Sequence, residues 1–483
     1  MNILQSYLHD NRAVQNEFEN HLIQKISGDL PDELNGYLFH NGNGNHQQHG
    51  IPYQHIFDGD GLINKFEFRP PEVFYSNTYV KTNEFLKEAR AGKMLYRSFG
   101  TNLPGGWVKN AGKVHFKNTA NTNIIYHADR MLALWEGGVP HLIDPSNLKT
   151  ISRYYYDKML RNKFGWWDQK IQPELPFSAH PKMLSQDQTL YNFGISPGGF
   201  PRLILYRIDA RGKGEIEQVI RLQKLHFTHD FALTDKKQKI FFLTPVSFNI
   251  GQALLGFKSP LESLTFEEDK NTTILVVDQG QTVQLPTDFC FIFHFINAYQ
   301  QEDGKIIVDA LKMPGFPNTD LNKRLMQGDQ NALLHAIPTR YTIDLAKKEM
   351  HQEKLFDLGM ELPTIHAGLR GKNYRYAYGI GYTKPKTHNM LQEIVKIDLH
   401  NRTFISRDFP QGIPSEPLMV PKPGSSAEDE GWLIFTRYEA NLRQTLLTIL
   451  DAKNLDILYE GKLPHNIPMG FHGTWINKNE QNW

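Results

Sequence analysis

Near the end of the chain stands the stretch IPMGFHGTW, residues 467–475, in which His472 is surrounded by apolar residues and glycines. Three other histidines occupy similar apolar settings: His180 in FSAHPK, His229 in FTHDF and His294 in FHFINAY. A single histidine in such a setting is most often a hydrogen-bonded core residue. Because the four settings are alike, we expect the fold to bring these four rings together.

The composition indicates a large protein with its own core. The chain has 483 residues, 40% of them hydrophobic, and a formal net charge of +1, which gives no reason to expect a nucleic-acid partner. The lone cysteine, Cys290, excludes an intramolecular disulfide and suits a reducing compartment. The sequence begins without a signal-peptide pattern and has no apolar run long enough to span a bilayer. We therefore expect a cytoplasmic protein.

Most of the chain is predicted to form short strands. Runs rich in Val, Ile, Tyr and Phe are broken every few residues by Asp, Asn, Gly or Pro. The exceptions are residues 83–97 and 318–335, which favour helix formers, and residues 3–27, where apolar residues recur at helical spacing. We therefore expect a helical segment within residues 1–30.

A repeat becomes visible when the turns are aligned. An apolar residue followed by Asp and a polar turn recurs at Ile143-Asp144, Ile208-Asp209, Val277-Asp278, Ile343-Asp344, Ile397-Asp398 and Leu450-Asp451. An Asp at the first corner of a turn caps nearby backbone N–H groups. Spacings of roughly 50–70 residues are typical of four-stranded propeller blades with insertions. Six such units begin near Asn123, His180, His229, His294, His366 and Glu416.

A seventh unit requires strands from both ends of the chain. The strand at His472 has few residues after it, whereas residues 36–40, 62–68 and 73–80 are strand candidates without partners. Pairing them closes the ring and removes exposed sheet edges. We predict an all-β fold, a seven-bladed β-propeller closed by N- and C-terminal strands, in one domain of residues 1–483 with helical and loop insertions as a cap. An all-β chain without a ring is the alternative.

In a propeller, the starts of equivalent inner strands converge on the axis. Four imidazoles there would suit Fe, Cu, Zn or Ni. The register places His366 at such a start too, and the chain has 20 histidines. Periodicity alone therefore does not choose the ligands.

Five further motifs occur in order: GYLFHNG at 36–42, HIFDGDG at 55–61, LWEGG at 134–138, SEPLMVP at 415–421 and AEDEGWL at 427–433. Together with the histidine settings they resemble the carotenoid cleavage oxygenases over about residues 30–475, and the compact length resembles cyanobacterial members. The resemblance implies that one non-haem Fe(II) ion per chain is bound by His180, His229, His294 and His472, and not by His366.

The resemblance also implies three glutamates that orient the bound imidazoles, Glu136, Glu361 and Glu416. Leu and Trp precede Glu136, and apolar residues follow Glu416 closely, which is unusual for solvated carboxylates. The chain departs from the family at Gln300, where Glu is common, and at His40, where Arg is common. We expect neither residue to be a metal ligand or one of the residues that orient the ligands, so these departures concern local structure or subfamily.

The implied reaction is oxidative cleavage of a carbon–carbon double bond of a carotenoid or apocarotenoid by O2, which gives two carbonyl products such as retinal-like apocarotenals. A polyene needs a long apolar tunnel. Its candidate walls lie next to the ligand motifs: Trp135, Phe177, Phe227, Phe293, Phe471 and Trp475. Ordinary core packing is the alternative for each of them.

Residues 245–266 form an apolar insertion with one basic residue, Lys258. As an insertion between strands it is either core or a surface patch that dips into lipid, where a polyene dissolves. The second interpretation predicts peripheral contact with a membrane surface.

Other functions are weighed against carotenoid cleavage. Stilbene-cleaving dioxygenases of the same family, acting on lignostilbene or resveratrol, tend to carry a Lys near the first glutamate, whereas Glu136 here is flanked by Trp135 and Gly137. A retinyl-ester isomerohydrolase is less favoured because the chain is short. A non-catalytic propeller that serves as a binding platform and a four-histidine zinc hydrolase are alternatives of other classes.

Overall fold

The computed structural model describes residues 2–113, 115–197, 200–383 and 391–483. Seven antiparallel sheets follow one another along the chain and form the seven blades of a β-propeller. The predicted fold class is therefore confirmed. No helix in these ranges combines the length and the apolar character needed to cross a bilayer.

Blades 1 to 5 are built from strands that are consecutive in the chain. Blade 1 contains Asn123–His127, Arg130–Leu134, His141–Ile143 and Thr150–Arg153. Blade 2 contains Lys182–Leu184, Thr189–Ser196, Arg202–Ile208 and Gly214–Arg221. Blade 3 contains His226–Phe227, Ala232–Leu233, Lys239–Phe248, Leu264–Phe266, Thr272–Asp278 and Gln281–Thr287. Blade 4 contains Phe291–Gln300, Ile306–Met313, Ile337–Asp344 and Glu349–Lys354. Blade 5 contains Gly359–Thr364, Tyr376–Tyr382, Glu393–Asp398 and Thr403–Asp408.

Blades 6 and 7 combine strands from both ends of the chain. Blade 6 contains Gly412–Pro414, Leu418–Pro421, Gly431–Glu439, Gln444–Asp451, Ile457–Lys462 and Gln24–Gly28. Blade 7 contains Gly470–Asn477, Gly36–Asn43, Gly61–Arg69, Glu72–Tyr79 and Phe18–Leu22. The last strand pairs with Gly36–Asn43 from Asn477 opposite Gly36 to His472 opposite Asn41, which is the predicted closure. A short hairpin, Gln47–Gln48 with Ile51–Pro52, stands apart.

The helices lie outside the blades. They are α1 (Ile3–Asp10), α2 (Asn83–Ala91), α3 (Trp107–Asn110), α4 (Trp166–Ile171), α5 (Ile250–Leu254) and α6 (Thr319–Met326). Short 3₁₀ turns cover Leu261–Ser263, Gln330–Ala332, Ala367–Leu369 and Lys478–Glu480.

The predicted helices are too long, and the N-terminal one is mostly wrong. Helix α1 ends at Asp10, and two strands follow it that pair with the outer edges of blades 7 and 6. Pairing with a sheet edge satisfies the backbone N–H and C=O groups of these residues as strands. The local spacing of apolar residues carries no information about that edge, so tertiary context overrides the helical pattern. Helix α2 ends at Ala91 because Gly92 adopts a left-handed conformation, with φ of 61°.

The aspartate repeat marks the turn between the third and fourth strands of a blade, counted outward across the sheet from its inner strand. Five of the six aspartates accept a hydrogen bond from a backbone N–H two residues later, at 2.7 to 3.1 Å: Asp144, Asp209, Asp344, Asp398 and Asp451. The start assigned to the fifth unit is wrong by several residues. The inner strand of blade 5 is Gly359–Thr364, so Glu361 lies on it and His366 follows it.

The insertion at 245–266 divides into two parts. Its ends continue the sheet, because Val246–Phe248 pairs with Leu264–Phe266. Between them α5 and the following loop expose Leu255 and Phe257, with 52% and 57% of their surface accessible. The insertion is therefore surface at Leu254, Leu255 and Phe257, whereas Ala253 and Leu261 are buried.

Candidate metal centre

Four histidines from four blades meet at the propeller axis. One ring nitrogen from each of His180, His229, His294 and His472 lies within 4.8 Å of the others, and all four residues are buried. His180 precedes the inner strand of blade 2, His229 lies between two short strands of blade 3, and the other two lie within inner strands of blades 4 and 7.

The rings face one another closely. The centroids of His180 and His229 are 4.3 Å apart, and those of His180 and His472 are 4.7 Å apart. The Nε2 atoms of His294 and His472 are 3.3 Å apart. The Nε2 atom of His180 is buried and has no hydrogen-bond partner. These nitrogens therefore point into one shared space.

A carboxylate from blade 5 holds His294 in place. The Nδ1 atom of His294 donates to Oε2 of Glu361 at 2.6 Å, and the same oxygen accepts from the N–H of Leu362 at 3.0 Å. The strands that carry both residues are irregular here, and Leu362 has a φ of 49°. Such bulges re-aim side chains next to functional sites. Both residues are buried, and burial raises the pKa of Glu361 to about 7.

A second carboxylate, from blade 6, holds His472. The Nδ1 atom of His472 donates to Oε1 of Glu416 at 2.7 Å, and the N–H of Gly473 donates to Oε2 at 3.0 Å. His40, one of the two departures from the family, lies next to Glu416. Its Nε2 atom lies 3.8 Å from Oε2 of Glu416, and its ring lies against Gly470, where a Cβ atom would overlap it. His40 approaches Glu416 because the last strand of the chain pairs with its own strand.

The third carboxylate, Glu136, comes from the loop after the second strand of blade 1. Its Oε1 atom contacts Nδ1 of His229 and lies 3.8 Å from Nε2 of His180. Gly137 leaves room for the ring of Trp135 and Gly138 leaves room for the amide of Asn118, since a Cβ on either glycine would overlap that side chain. All three sequence-predicted glutamates are thus found beside these histidines.

The electrostatic setting favours neutral imidazoles at two positions. Burial lowers the pKa of His180 and of His294 well below the usual value, and the neighbouring histidines lower both further. Burial also opposes protonation of His229, but the charge and hydrogen bond of Glu136 outweigh it, so the pKa of that imidazole is raised. Metal ions bind imidazole through an unprotonated nitrogen.

The donor set fits a metal ion of intermediate softness. With each Nδ1 of His229, His294 and His472 directed at a carboxylate, the Nε2 atoms are left to face one another. Such pairing fixes the tautomer and orientation of a metal-binding imidazole. The four buried histidines could therefore hold one metal ion, and imidazole ligands suit Fe, Cu, Zn or Ni.

Aromatic rings extend away from this group. The ring of Phe293 lies edge-on to His229 at 5.0 Å, and Phe57 contacts both Phe293 and Phe471. Four more phenylalanine rings continue this row, with ring centroids within 6.3 Å of that of Phe227: Phe99, Phe266, Phe291 and Phe316. Sequence analysis gave no individual signal for these four residues. Phe57 lies inside the motif at 55–61 and could have been selected from it.

Several other sequence candidates lie elsewhere. Phe177 is a core residue that packs against Tyr156 and Tyr206 between blades 1 and 2. Trp475 is partly buried and packs against Phe68 at the side of another core cluster. His366 accepts a hydrogen bond from its own turn and is outside the histidine group. Gln300 donates to the carbonyl of Gly304 in a hairpin.

The relatives of this chain are oxygenases. The family described as retinal pigment epithelial membrane protein matches residues 11–477. Apocarotenoid-15,15'-oxygenase of Synechocystis is 35% identical over 467 residues, which cover 94% of this chain and 92% of the relative. Isoeugenol monooxygenase of Pseudomonas putida is 27% identical, and mouse beta,beta-carotene 15,15'-dioxygenase is 24% identical, each with 94% of this chain covered. The matches cover 94% of the first of these two relatives and 88% of the second.

A solved structure shares the fold over almost the whole length. The cobalt-substituted oxygenase of Synechocystis superposes with a TM-score of 0.90 at 33% identity, covering 98% of this chain and 99% of that chain. This chain belongs to the retinal pigment epithelial membrane protein family, the same family of carotenoid oxygenases that its sequence motifs resemble.

Proposed function

We propose that this protein cleaves one carbon–carbon double bond of a carotenoid or apocarotenoid with O2. The two carbon atoms of that bond each take one oxygen atom and become the carbonyl carbons of two products. The observation that carries the proposal is the buried group of four histidines, in a chain that is 35% identical to an apocarotenoid oxygenase.

In this proposal His180, His229, His294 and His472 hold one Fe(II) ion per chain, and the three glutamates described above keep the imidazoles oriented. Bound there, Fe(II) supplies the redox chemistry by which O2 reacts with an alkene. Four imidazoles contribute no negative charge, unlike the two-histidine, one-carboxylate arrangement of many Fe(II) oxygenases. The protein's further tasks are to exclude water and to place one double bond beside the site.

The aromatic rings beside the histidines form the proposed wall of the substrate tunnel. Phe293, Phe471 and Phe227 belong to it, and Trp135 adds an indole next to Glu136. Apolar rings bury a polyene without offering polar groups that would have to be desolvated. The cleaved bond is then chosen by how far the polyene enters.

The exposed apolar loop is the proposed place of contact with a membrane, in which such substrates dissolve. Leu254, Leu255 and Phe257 are joined there by Trp107 and Val108 of α3, and all five are at least 44% exposed. The rings of Trp107 and Phe257 lie 5.4 Å apart, so the two segments form one surface, which we term the apolar patch. Exposed patches of this kind mark sites of interaction with membranes or proteins.

Cleavage of a phenolic alkene is the alternative within the family, because a relative is named isoeugenol monooxygenase. The residues beside Glu136 are Trp135 and Gly137. Neither offers the ammonium group expected of a stilbene-cleaving enzyme near this glutamate, which supports the polyene substrate.

The test is an aerobic incubation of the Fe(II)-loaded protein with a carotenoid, several apocarotenals, a hydroxystilbene and isoeugenol, with products identified by mass. A His294→Ala variant is the control. We expect two carbonyl products from a polyene and none in the control, and the product masses identify the cleaved bond. Turnover of the phenolic alkenes alone, or no turnover by iron-loaded protein, would overturn the proposal.

A further inference from the structure

Asp230 follows His229 and is 2% exposed. Its Oδ1 atom lies 2.7 Å from Nζ of Lys182, in blade 2. Its Oδ2 atom accepts a hydrogen bond of 3.1 Å from the N–H of Phe295, in blade 4. The N–H of Phe231 donates to Oδ1 as well, at 2.7 Å. One carboxylate therefore joins three blades.

The residues it joins are all neighbours of the histidine group. Lys182 stands two positions after His180, and Phe295 directly follows His294. The three belong to separate sheets, so no strand ladder fixes their spacing. The register between the inner two strands of blade 4 shifts on both sides of Phe295, and its N–H donates to Asp230 instead.

Asp230 shares a cationic neighbour, Arg370, with Glu416. Burial lowers the pKa of the Arg370 guanidinium, while the negative charges of Asp230 and Glu416 oppose that shift. Glu416 is also the carboxylate that accepts a hydrogen bond from His472.

We infer that Asp230 is a positioning residue that sets the spacing of His180, His229 and His294 by tying blades 2, 3 and 4 together beneath them. This role rests on the proposed metal binding. Glu136, Glu361 and Glu416 each orient one imidazole, whereas Asp230 fixes the distances between the segments that carry three of them. Partners outside the ligand set typically change metal affinity about 10- to 100-fold when removed.

The test measures binding of Co²⁺ to the full chain, by competition with a chelator and by the visible absorption of bound Co²⁺, which reports ligand geometry. Three variants are compared: Asp230→Asn, Lys182→Met and the double variant. The double variant removes the tie between blades 2 and 3 without leaving a buried charge unpaired. Asp309→Asn is the matched control. Asp309 is also fully buried and ion-paired, with Arg340 at 2.7 Å, but it lies on the second strand of blade 4.

We expect about 10- to 100-fold weaker Co²⁺ binding and an altered spectrum in all three variants. Asp309→Asn is expected to lower the unfolding temperature while leaving Co²⁺ affinity and the spectrum as in the unaltered protein. Recovery of Co²⁺ affinity in the double variant would show that Asp230 only neutralises the charge of Lys182, and this would overturn the inference. Equal losses in Asp230→Asn and Asp309→Asn would overturn it too. Failure of the unaltered protein to bind Co²⁺ would instead count against the proposed metal site itself.

Discussion

The candidate metal centre and the apolar patch are both held in place by buried charged side chains, but these side chains bind different kinds of partner. At the centre, carboxylates such as Glu361 and Glu416 accept hydrogen bonds from imidazole side chains. Behind the patch, Arg97 is 1% exposed and donates to main-chain carbonyls, to Ala253 at 2.8 Å and to Lys258 at 2.7 Å. Each imidazole–carboxylate bond at the centre depends on side-chain identity at both ends. The patch depends on it at one end only.

The difference predicts that the two regions tolerate amino-acid substitution to different degrees. An imidazole that loses its carboxylate has no substitute acceptor in a buried site, so every partner at the centre is needed. A carbonyl is offered by any residue, so the loop that carries the patch tolerates substitution of its own side chains as long as Arg97 remains. Substitutions at the centre should therefore have large effects on metal and activity, and substitutions at the patch smaller effects on a different property.

The largest effect is expected from His472→Ala. It removes one of four nitrogen donors and leaves Glu416 without its imidazole partner. We expect loss of tight metal binding and a fall in turnover of at least about a thousandfold, since too few ligands remain to hold the ion. Metal analysis after gel filtration and product assays measure both. His366→Ala removes the same side chain outside the group and should leave both unchanged, and any loss of metal there would contradict the assignment.

The next effect is expected from Glu361→Gln, which keeps the shape but removes the negative charge that His294 faces at 2.6 Å. We expect metal affinity to fall about 10- to 100-fold. Chelator competition measures it. Glu353→Gln, at an exposed ion pair with Arg402, is the control for a neutralised glutamate and should match the unaltered protein. Equal affinities in the two variants would show that the centre does not depend on this carboxylate.

The same distinction explains what could be predicted from sequence. The turn aspartates are side-chain signals that indicated six blades, and the unpaired strand candidates at the two ends indicated the seventh. The motifs that resemble the carotenoid cleavage oxygenases then selected the four histidines. Residues 18–28 carry no such signal, because their strands are defined by the backbone edges that they cover in blades 6 and 7. Periodicity also misplaced the inner strand of blade 5. It put the start of that strand at His366, whereas the strand is Gly359–Thr364.

Long-range contacts account for the other misses. His40 meets Glu416 only because the two ends of the chain pair, and Asp230 meets Lys182 and Phe295 across separate sheets. Neither contact has a fixed spacing in the sequence. For residues 245–266 the sequence left core and surface open as two interpretations. It gave no signal that Trp107 and Val108 lie beside the exposed part.

At the patch, the double substitution Leu255→Ser with Phe257→Ser should weaken binding to phospholipid vesicles about tenfold, or about 1.4 kcal/mol, because two partly inserted apolar side chains are lost. Vesicle sedimentation measures it. Cleavage of a detergent-dispersed substrate should change less than about twofold, since neither side chain touches the histidines. Leu442→Ser removes a side chain of similar exposure, 56%, from a hairpin of blade 6 and is the control. Equal weakening by Leu442→Ser would show that any exposed apolar residue suffices, and the patch would have no special role.

The smallest effect is expected from Arg97→Lys. The ammonium group keeps the charge but cannot reach all the acceptors of the guanidinium, which also bonds Asn102 at 2.9 Å and the carbonyl of Lys113 at 3.2 Å. We expect faster amide hydrogen exchange in 249–258 and vesicle binding weaker by about two- to threefold, because the loop must then be ordered when it binds. Metal affinity should be unchanged. A loss of metal in this variant would mean that the patch and the centre form one cooperative unit, and their separation into two independently held regions would fail.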